Sequence, residues 1–178
     1  MRGRPFVSRA EPGDAAEILR LQQLAFTPQA ELYNDFSLPP LLQTLAEMEQ
    51  DIAAMTVLKA VLQDAAQGLP ANAIIGSVRA RAEDAVCHVG RLVVHPNFQN
   101  QGLGARLMHR IEAEFAACER YEIFTGHKSA KNLRLYEKLG YKVVRTQVVS
   151  PDLSLVYMEK VGGEEERLGG RLGGSGAG

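Results

Sequence analysis

The sequence predicts an α/β fold, a mixed β-sheet with helices packed on it, in the order β-α-α-β-β-β-α-β-α-β-β. Segments with strand-like alternation and segments with helical spacing follow one another along the chain. Three consecutive strands in the middle are joined by short turns, which indicates an antiparallel meander. A strand–helix–strand passage comes next, and such a crossover places its two strands in parallel. Ligands commonly bind at the carboxyl ends of strands arranged in this way.

The composition fits one compact domain. The chain has 178 residues, of which 46% are hydrophobic and 23% are charged, which is enough for a full core. The net charge of −1 gives no surplus of basic residues for nucleic acid. Cys87 and Cys118 have neither metal-ligand nor redox spacing, so we expect no metal and a reducing compartment. We also expect no signal peptide, no membrane contact and a cytoplasmic location.

The domain is predicted to end before a glycine-rich tail. We assign residues 1–161 to the folded domain. About half of residues 162–178 are glycine, and this composition cannot build a core. We therefore expect residues 162–178 to be flexible.

The first elements are a short strand and a helix. Phe6 to Arg9 alternates like a strand, and helical spacing predicts a helix over about 14–26. Asp14 is the expected N-cap, and Glu17, three residues later, completes a capping-box pattern. Residues 27–40 have the composition of a loop.

A second helix and the three strands of the meander complete the first half. The helix is predicted from Leu41 to Ile52, entered through Pro39-Pro40. The meander strands have apolar, β-branched character, with polar or Gly/Pro-bearing connections between them. They are predicted at 56–62, 73–82 and 85–94.

The second half alternates helices with strands. A stripe of apolar side chains at helical spacing predicts a helix over 102–118; it comprises Leu103, Leu107, Ile111, Phe115 and Cys118. The next helix should run from Ala130 to Leu139, capped by Ser129 and stopped by Gly140. The remaining strands are predicted at 121–126, 141–149 and 153–160.

Two glycines stand where the helix over 102–118 begins. Gly102 and Gly104 would cost about 1 kcal/mol each relative to alanine inside a helix, so they need a reason. One reason is the close approach of a phosphate to unpaired N–H groups at a helix N-terminus. A tight strand-to-helix turn is an equally good explanation. The spacing matches neither G-x-G-x-x-G nor a nucleotide P-loop.

Three motifs in order resemble the GNAT superfamily of N-acetyltransferases. Gln99-Asn100-Gln101-Gly102-Leu103-Gly104 matches the signature Q/R-x-x-G-x-G/A. Upstream, Leu92-Val93-Val94-His95-Pro96 is similar to the strand end L-x-V-x-P of that family. Downstream, residues 132–141 are similar to N-x-x-x-Y-x-K-x-G-Y/F. The resemblance spans roughly residues 5–160 and implies a sheet in which two parallel strands splay apart.

The resemblance implies acetyl-CoA as the acetyl donor. Its diphosphate would lie on the N–H groups of the residues that open the helix, which are Asn100, Gln101, Gly102, Leu103, Gly104 and Ala105. Gln99, the first residue of the signature, would also bind the donor. Its pantetheine arm would pair with the backbone of Leu92, Val93 and Val94. Asn132 would hydrogen-bond the donor. Asn132 could equally be a solvated helix residue.

The resemblance also implies direct transfer of the acetyl group to a primary amine. A backbone N–H near Leu92 would stabilise the oxyanion, and Tyr136 would protonate the departing thiolate. Tyr136 could at the same time be a core aromatic residue. The two cysteines are expected to be small core residues rather than nucleophiles.

The general base and the acceptor stay open. His88 takes the position of a strand glutamate in the histone-acetylating branch, and histidines titrate near neutrality. His88 could also be a sheet residue with no chemical role. Glu31, Tyr33 and Asp35 could shape the amine pocket, and His127 is another candidate. Three lysines could attract the CoA phosphates or could form a solvated face; they are Lys128, Lys131 and Lys138.

The sequence leaves the substrate and the rival functions undecided. The stretch E-V-R-x-S-N of the branch that acetylates ribosomal-protein N-termini is replaced by residues 124–129, which lack its glutamate and arginine. The acceptor is therefore a small-molecule or peptide amine of unspecified identity. A sensory module that binds acetyl-CoA without turnover is the main alternative, and a phosphate-binding protein unrelated to CoA is a weaker one. Homodimers are common in the family, and no interface can be identified in the sequence.

Overall fold

A computed structural model describes residues 3–163 of the chain. It contains seven strands and five helices. The strands are β1 (Phe6–Arg9), β2 (Thr56–Val61), β3 (Ile74–Glu83), β4 (Val86–Val94), β5 (Arg120–Gly126), β6 (Lys142–Val148) and β7 (Ser154–Val161). The helices are α1 (Ala15–Tyr33), α2 (Pro39–Leu42), α3 (Leu45–Ala54), α4 (Leu103–Glu114) and α5 (Ala130–Lys138). The predicted α/β class and the predicted order of strands are confirmed.

The seven strands form one mixed sheet in the order β1-β2-β3-β4-β5-β7-β6. The predicted meander is confirmed, because β2, β3 and β4 pair antiparallel with their neighbours. The predicted crossover is confirmed as well, because β4 and β5 pair in parallel. Their pairing covers only three residue pairs, from Val86–Arg120 to His88–Glu122, and the two strands then part. The sheet is therefore splayed toward the carboxyl ends of β4 and β5.

Helices cover the two faces of the sheet unequally. On one face, α4 and α5 pack on the larger core, into which α4 inserts Leu107, Met108 and Ile111. Burial of such a side chain contributes about 1.5–3 kcal/mol. On the other face, which we call the α1 face, α1 and α3 pack on β2, β3 and β4 through a smaller cluster that includes Ile18, Met48 and others. No helix within residues 3–163 has the length and apolar character needed to cross a membrane.

The first helix differs from its prediction at both ends. The Asp14 carboxylate does not cap α1; it accepts from Glu11 N at 2.7 Å and from Lys59 Nζ at 2.7 Å. Glu17 accepts instead from the backbone N–H of Ile74 at 2.9 Å. The predicted loop over 27–40 is wrong in its first part, because α1 continues through Pro28 to Tyr33. It ends at Asn34, whose left-handed conformation is common at helix C-termini.

The predicted helix over 41–52 is two helices. The break falls at Gln43 and Thr44, and Thr44 begins α3 with a capping box: Glu47 N donates to Thr44 Oγ1, and Thr44 N donates to Glu47 Oε2. The helix predicted over 102–118 ends earlier, at Glu114. Gly140 stops α5 as predicted, with a φ of 98°. The predicted Ser129 cap makes no side-chain bond to α5.

The predicted boundary of the tail lies next to an anchored glycine. The N–H of Gly162 donates to the carbonyl of Glu119 at 2.7 Å, so the chain is still held at this residue. Residues 164–178 of the predicted flexible tail lie outside the described residues.

Candidate active site

The glycine-bearing junction between β4 and α4 has two left-handed residues. Asn100 has a φ of 61° and Gly102, the N-cap of α4, has a φ of 82°. Left-handed backbone costs a side-chain-bearing residue energy, so glycine is favoured at position 102. The chain turns there into α4, and Arg106 N is bonded to Gly102 O. The N–H groups of the first turn, before Arg106, have no partner within the helix.

A β-bulge in β4 lies just before the splayed segment. Ser77 of β3 pairs with Val93, and Arg79 pairs with Gly90, so Val78 faces two residues of β4. Arg91 is the extra residue and has a φ of 52°. A bulge bends its strand and reverses which side chains face each side. Leu92 and Val94 consequently face the larger core, whereas Val93 packs in the cluster under α1.

A cleft of about 780 Å³ opens between the parted strands. It is bounded by the end of β4, the first turn of α4, one side of α5 and the second half of α1. Of the residues that the sequence predicts for donor binding, it brings together Leu92, Val93, Val94, Gln99, Asn100, Gly102, Leu103, Gly104, Ala105 and Asn132. Gln101 does not line this cleft; it lies in a smaller adjoining depression and bonds Asn97 O.

Gly104 stands between the two walls of the cleft. A Cβ built there would lie 3.4 Å from Leu135 Cδ2, and 3.9 Å from side-chain atoms of Leu92 and Val94. The missing side chain therefore leaves the backbone of α4 accessible from the space between β4 and α5. This is the steric condition for a bulky phosphate to reach backbone N–H groups.

The cleft is electropositive. Four cationic side chains line it, and no acidic one does among the described residues; the four are Lys128, Lys131, Arg134 and Lys138. Lys131 is tied to the cleft by donating from Nζ to Gln99 Oε1 at 3.0 Å. Cations beside a helix N-terminus favour a multiply charged anionic ligand.

Asn132 and Tyr136 occupy the same face of α5 in different environments. Asn132 lines the cleft, and its Nδ2 donates to Thr125 Oγ1 at 3.4 Å. The Tyr136 side chain does not line the cleft. It is 4% exposed, and its ring centroid lies 6.0 Å from that of Tyr141 in the larger core. Burial raises the pKa of Tyr136 above its ordinary value, so the phenol stays protonated.

His88 lies outside the cleft. It is on β4 in the segment that is still paired with β5, opposite Glu122. Its Nε2 is 4.0 Å from Glu83 Oε2, and its side chain is partly exposed. It faces the α1 face of the sheet, because the side chain of the preceding residue, Cys87, points into the larger core. The structure therefore does not bring His88 together with the residues predicted to bind the donor.

The second half of α1 covers one side of the cleft, where the sequence predicted a loop that carries Glu31 and Tyr33. Phe26, Gln29 and Leu32 line the cleft from this helix. Tyr33 anchors it: the N–H of Lys128 donates to the Tyr33 hydroxyl at 2.9 Å, and Ser129 Oγ lies 3.1 Å from it. We call Ala25–Tyr33 the strap. Its only sequence signal is Asn34, a residue suited to a helix C-terminus.

The strap fits a specific glycine. A Cβ on Gly126 would overlap the hydroxyl and ring of Tyr33, so β5 must end in a residue without a side chain. Ser129, predicted as a helix cap, donates instead to Gln29 Oε1 at 2.7 Å. The strap is thus held on the β5–α5 connection by steric fit and by three hydrogen bonds.

The other candidate residues are bonded elsewhere, exposed outside the cleft, or buried in the core. Asp35 accepts from the N–H and hydroxyl of Ser37, which lowers the pKa of its carboxyl. His127 Nδ1 lies 2.9 Å from Ser154 N. Glu31 is exposed on α1 outside the cleft lining. Cys87 is fully buried, and desolvation raises the pKa of its thiol to about 12.

These features define an acyltransferase-type fold, and the chain belongs to the GNAT acetyltransferase family. The family model described as "Acetyltransferase (GNAT) domain" matches residues 40–161. No curated protein matches the chain.

Solved structures of the same fold are numerous. A GNAT-family acetyltransferase from Streptococcus pneumoniae superposes with a TM-score of 0.70 at 21% identity, covering 89% of this chain and 99% of the other. The PaiA N-acetyltransferase from Thermoplasma acidophilum, a complex with coenzyme A, gives 0.73 at 12% identity over 89% and 99%. A phosphinothricin acetyltransferase from Sinorhizobium meliloti, a complex with AcCoA, gives 0.71 at 14% identity over 90% of each chain. At these identities the likeness establishes the fold.

Proposed function

We propose that this protein is an N-acetyltransferase that moves the acetyl group of acetyl-CoA directly to a primary amine of a small molecule or peptide. The observation that carries the proposal is the cleft between β4 and β5, which ends at the glycine-opened N-terminus of α4. The complexes of similar folds with coenzyme A and AcCoA support the choice of donor.

The residues present fit such a donor. The backbone of Asn100 to Ala105, open at Gly104, would bind the diphosphate. The free backbone edge of Leu92 to Val94 would pair with the amide groups of the pantetheine arm. Asn132 and the lysines of the cleft would bind polar and phosphate groups. A thioester bound there supplies an acyl group that an amine can attack.

The residues around the thioester have two tasks in this proposal. A backbone N–H near Leu92 stabilises the oxyanion of the tetrahedral intermediate. Tyr136, kept protonated by burial, donates its proton to the leaving thiolate. A covalent route through Cys87 is disfavoured, because a buried thiol whose pKa is about 12 supplies almost no thiolate near neutrality.

We retain His88 as the proposed general base, although it lies outside the cleft. It does not line the cleft, and it would act on an amine that approaches from the α1 face. His88→Gln should then shift the acidic limb of the profile of kcat/KM against pH. An unchanged profile would assign deprotonation of the amine to the solvent.

Donor binding can be tested independently of turnover. Acetyl-CoA should raise the melting temperature of the wild-type protein, whereas ATP and NAD at the same concentration should raise it little. Gly104→Val places a branched side chain between the cleft walls and should abolish the acetyl-CoA shift. Gly13→Ala is the matched control, since a Cβ there meets no atom within 4 Å. Equal shifts with all three ligands would refute the assignment of the donor.

The alternative is a sensory module that binds acetyl-CoA without turnover. The burial of Tyr136 away from the cleft lining favours it. A panel of primary amines, with free CoA quantified by chromatography, separates the two. Release of CoA that depends on both amine and protein supports the enzyme; tight binding with no release for any amine supports the module.

A further inference from the structure

The α1 face of the sheet is open where β4 and β5 part. His88 and Glu122 are paired, so the residues two positions further on, Gly90 and Phe124, face the same side. A Cβ built on Gly90 meets no atom within 4 Å. The Phe124 side chain is 55% exposed, and its ring centroid lies 5.3 Å from that of Tyr157. An accessible floor at Gly90 therefore lies beside an aromatic wall.

The acceptor amine is expected to approach the thioester from this open face. The donor-binding residues of α4 and α5 lie on the opposite face, and the gap between the strands connects the two faces. A donor held by α4 would fill its own side of the gap. The amine would then reach the thioester carbonyl from the α1 face.

Arg91 carries an unused hydrogen-bond donor on this side of the sheet. Its Nη1 is buried, and within residues 3–163 it has no hydrogen-bond partner. Arg91 is the extra residue of the bulge that directly follows Gly90, and Gly90 pairs with Arg79 of β3. The charges of Arg79 and Asp51 both act on its guanidinium. A buried guanidinium N–H without an acceptor costs free energy. A hydrogen bond to an anionic oxygen would remove that cost.

The neighbouring carboxylate of Asp51 compensates the charge of Arg91 only in part. Asp51 Oδ2 is bonded by Arg79 Nη1 and, at 2.5 Å, by Gln43 Nε2. Two guanidinium groups therefore share one carboxylate, whose Oδ2 is already engaged by other donors. Burial, and after it the charge of Arg79, lower the pKa of Arg91 to about 10, and the opposing charge of Asp51 offsets this only in part.

We propose that the acceptor amine carries an anionic oxygen group, a carboxylate or a phosphate, which Arg91 binds on the α1 face beside Gly90. Gly90 leaves room for the body of the acceptor, and Phe124 offers an apolar surface across the gap. This inference rests on the proposed acetyltransferase function and names the class of its acceptor.

Paired substrates test the inference on the wild-type protein. L-Phenylalanine and phenethylamine share an amine and a ring but differ in the carboxylate; O-phosphoethanolamine and ethanolamine differ in the phosphate. We expect kcat/KM to be about ten- to a hundredfold higher for the anionic member of at least one pair, the usual range for one charge-assisted hydrogen bond. The pair with the larger ratio identifies the anion. Ratios near one in both pairs would overturn the inference.

Variants locate the effect at Arg91. Arg91→Met keeps the length and removes the charge, so it should reduce the preference for the anionic member to near one without changing the affinity for acetyl-CoA. Arg91→Lys should restore part of the preference, and it serves as the informative variant if Arg91→Met does not fold. Arg81→Met is the matched control, because Arg81 is an exposed arginine two residues after Arg79 on β3. A preference retained in both Arg91 variants would overturn the assignment.

The inference and the proposed function fail in different ways. If no amine of the panel is acetylated, the acetyltransferase proposal fails. Calorimetry then tests the anion site separately, by measuring whether an anionic compound binds. L-Phenylalanine and O-phosphoethanolamine would be titrated into the protein saturated with CoA. Binding that is lost in Arg91→Met supports the site, and the absence of binding of both compounds to the wild-type protein refutes it.

Discussion

Tyr136 illustrates how burial sets the chemistry available to one side chain. Its phenol would ionise near pH ~10 in water, and desolvation in the larger core raises that pKa. A donor to a thiolate must be protonated when the thiolate departs, and burial ensures this throughout the neutral range. The same burial keeps the Tyr136 side chain out of the cleft lining. The acid role proposed for Tyr136 therefore rests on its hydroxyl alone.

Removing that hydroxyl tests the role. In Tyr136→Phe the ring and its packing stay, so acetyl-CoA affinity should be nearly unchanged, while kcat should fall on the order of 10²-fold. Steady-state kinetics and calorimetric titration of the donor measure the two quantities. Tyr121→Phe is the control: its hydroxyl bonds Glu112 O and Phe115 O, in the core away from the cleft. Full turnover in Tyr136→Phe would assign protonation of the thiolate to the solvent.

Among the structural elements, the strap links the two halves of the chain across the cleft. Tyr33 and Ser129 are separated by 96 residues in sequence, yet their hydroxyls are 3.1 Å apart. The strap supplies a wall of the cleft through Phe26, Gln29 and Leu32. Its position depends on the fit of Tyr33 against Gly126.

A double-mutant cycle at this contact should show strong coupling. Gly126→Ala places a methyl group in the space of the Tyr33 ring and should destabilise the protein by about 1–3 kcal/mol, the usual cost of overpacking. In a Tyr33→Leu background the added methyl group has room, so the same substitution should cost much less. Denaturant unfolding measures both values. Equal costs in the two backgrounds would mean that Tyr33 does not constrain residue 126.

The sequence predicted the elements whose signals are local. Alternation in β2, β3 and β4 and the apolar stripe of α4 depend only on neighbouring residues, and these elements were found. The break before α3 was missed although its signal is local, since Thr44 and Glu47 form a readable capping box. The length of α1 was missed for a different reason. Pro28 suggested a loop, and the contacts that stabilise the helix beyond it come from residues about 100 positions away.

The same distinction applies to the candidate site. The motif around Gly102 predicted the backbone lining of the cleft, because a strand end and a helix start are adjacent in sequence. The surroundings of Arg91 could not be predicted. They depend on a register shift between β3 and β4 and on Asp51 from a separate helix. No periodicity within β4 indicates which strand position carries a bulge.

At the scale of the whole molecule, three of the five tyrosines are ionisable groups held neutral in the core. Burial is the main cause that raises the pKa of Tyr121, Tyr136 and Tyr141, and the Glu112 carboxylate adds to it for Tyr121 and Tyr141. In the unfolded chain each would ionise near pH ~10. Above that pH the unfolded state binds fewer protons than the folded state, so stability falls as pH rises.

In an alkaline titration, the three buried tyrosines should therefore ionise only as the protein unfolds. Each such tyrosine removes up to about 1.4 kcal/mol of stability per pH unit above ~10. Tyrosinate absorbance should rise in two stages, and the later stage should coincide with the loss of the circular dichroism signal. The same titration in concentrated urea, with all five tyrosines exposed, is the reference. Complete ionisation near pH 10 with the fold intact would contradict the burial of these side chains.

The full burial of Cys87 has a consequence for how the reaction can be followed. A colorimetric disulfide reagent reacts with thiolates, and the native protein offers it at most the half-buried Cys118. The coenzyme that the proposed reaction would liberate can then be recorded continuously against a small and constant background. Denaturing the sample afterwards would expose the second sulfhydryl and calibrate the amount of protein in the same cuvette.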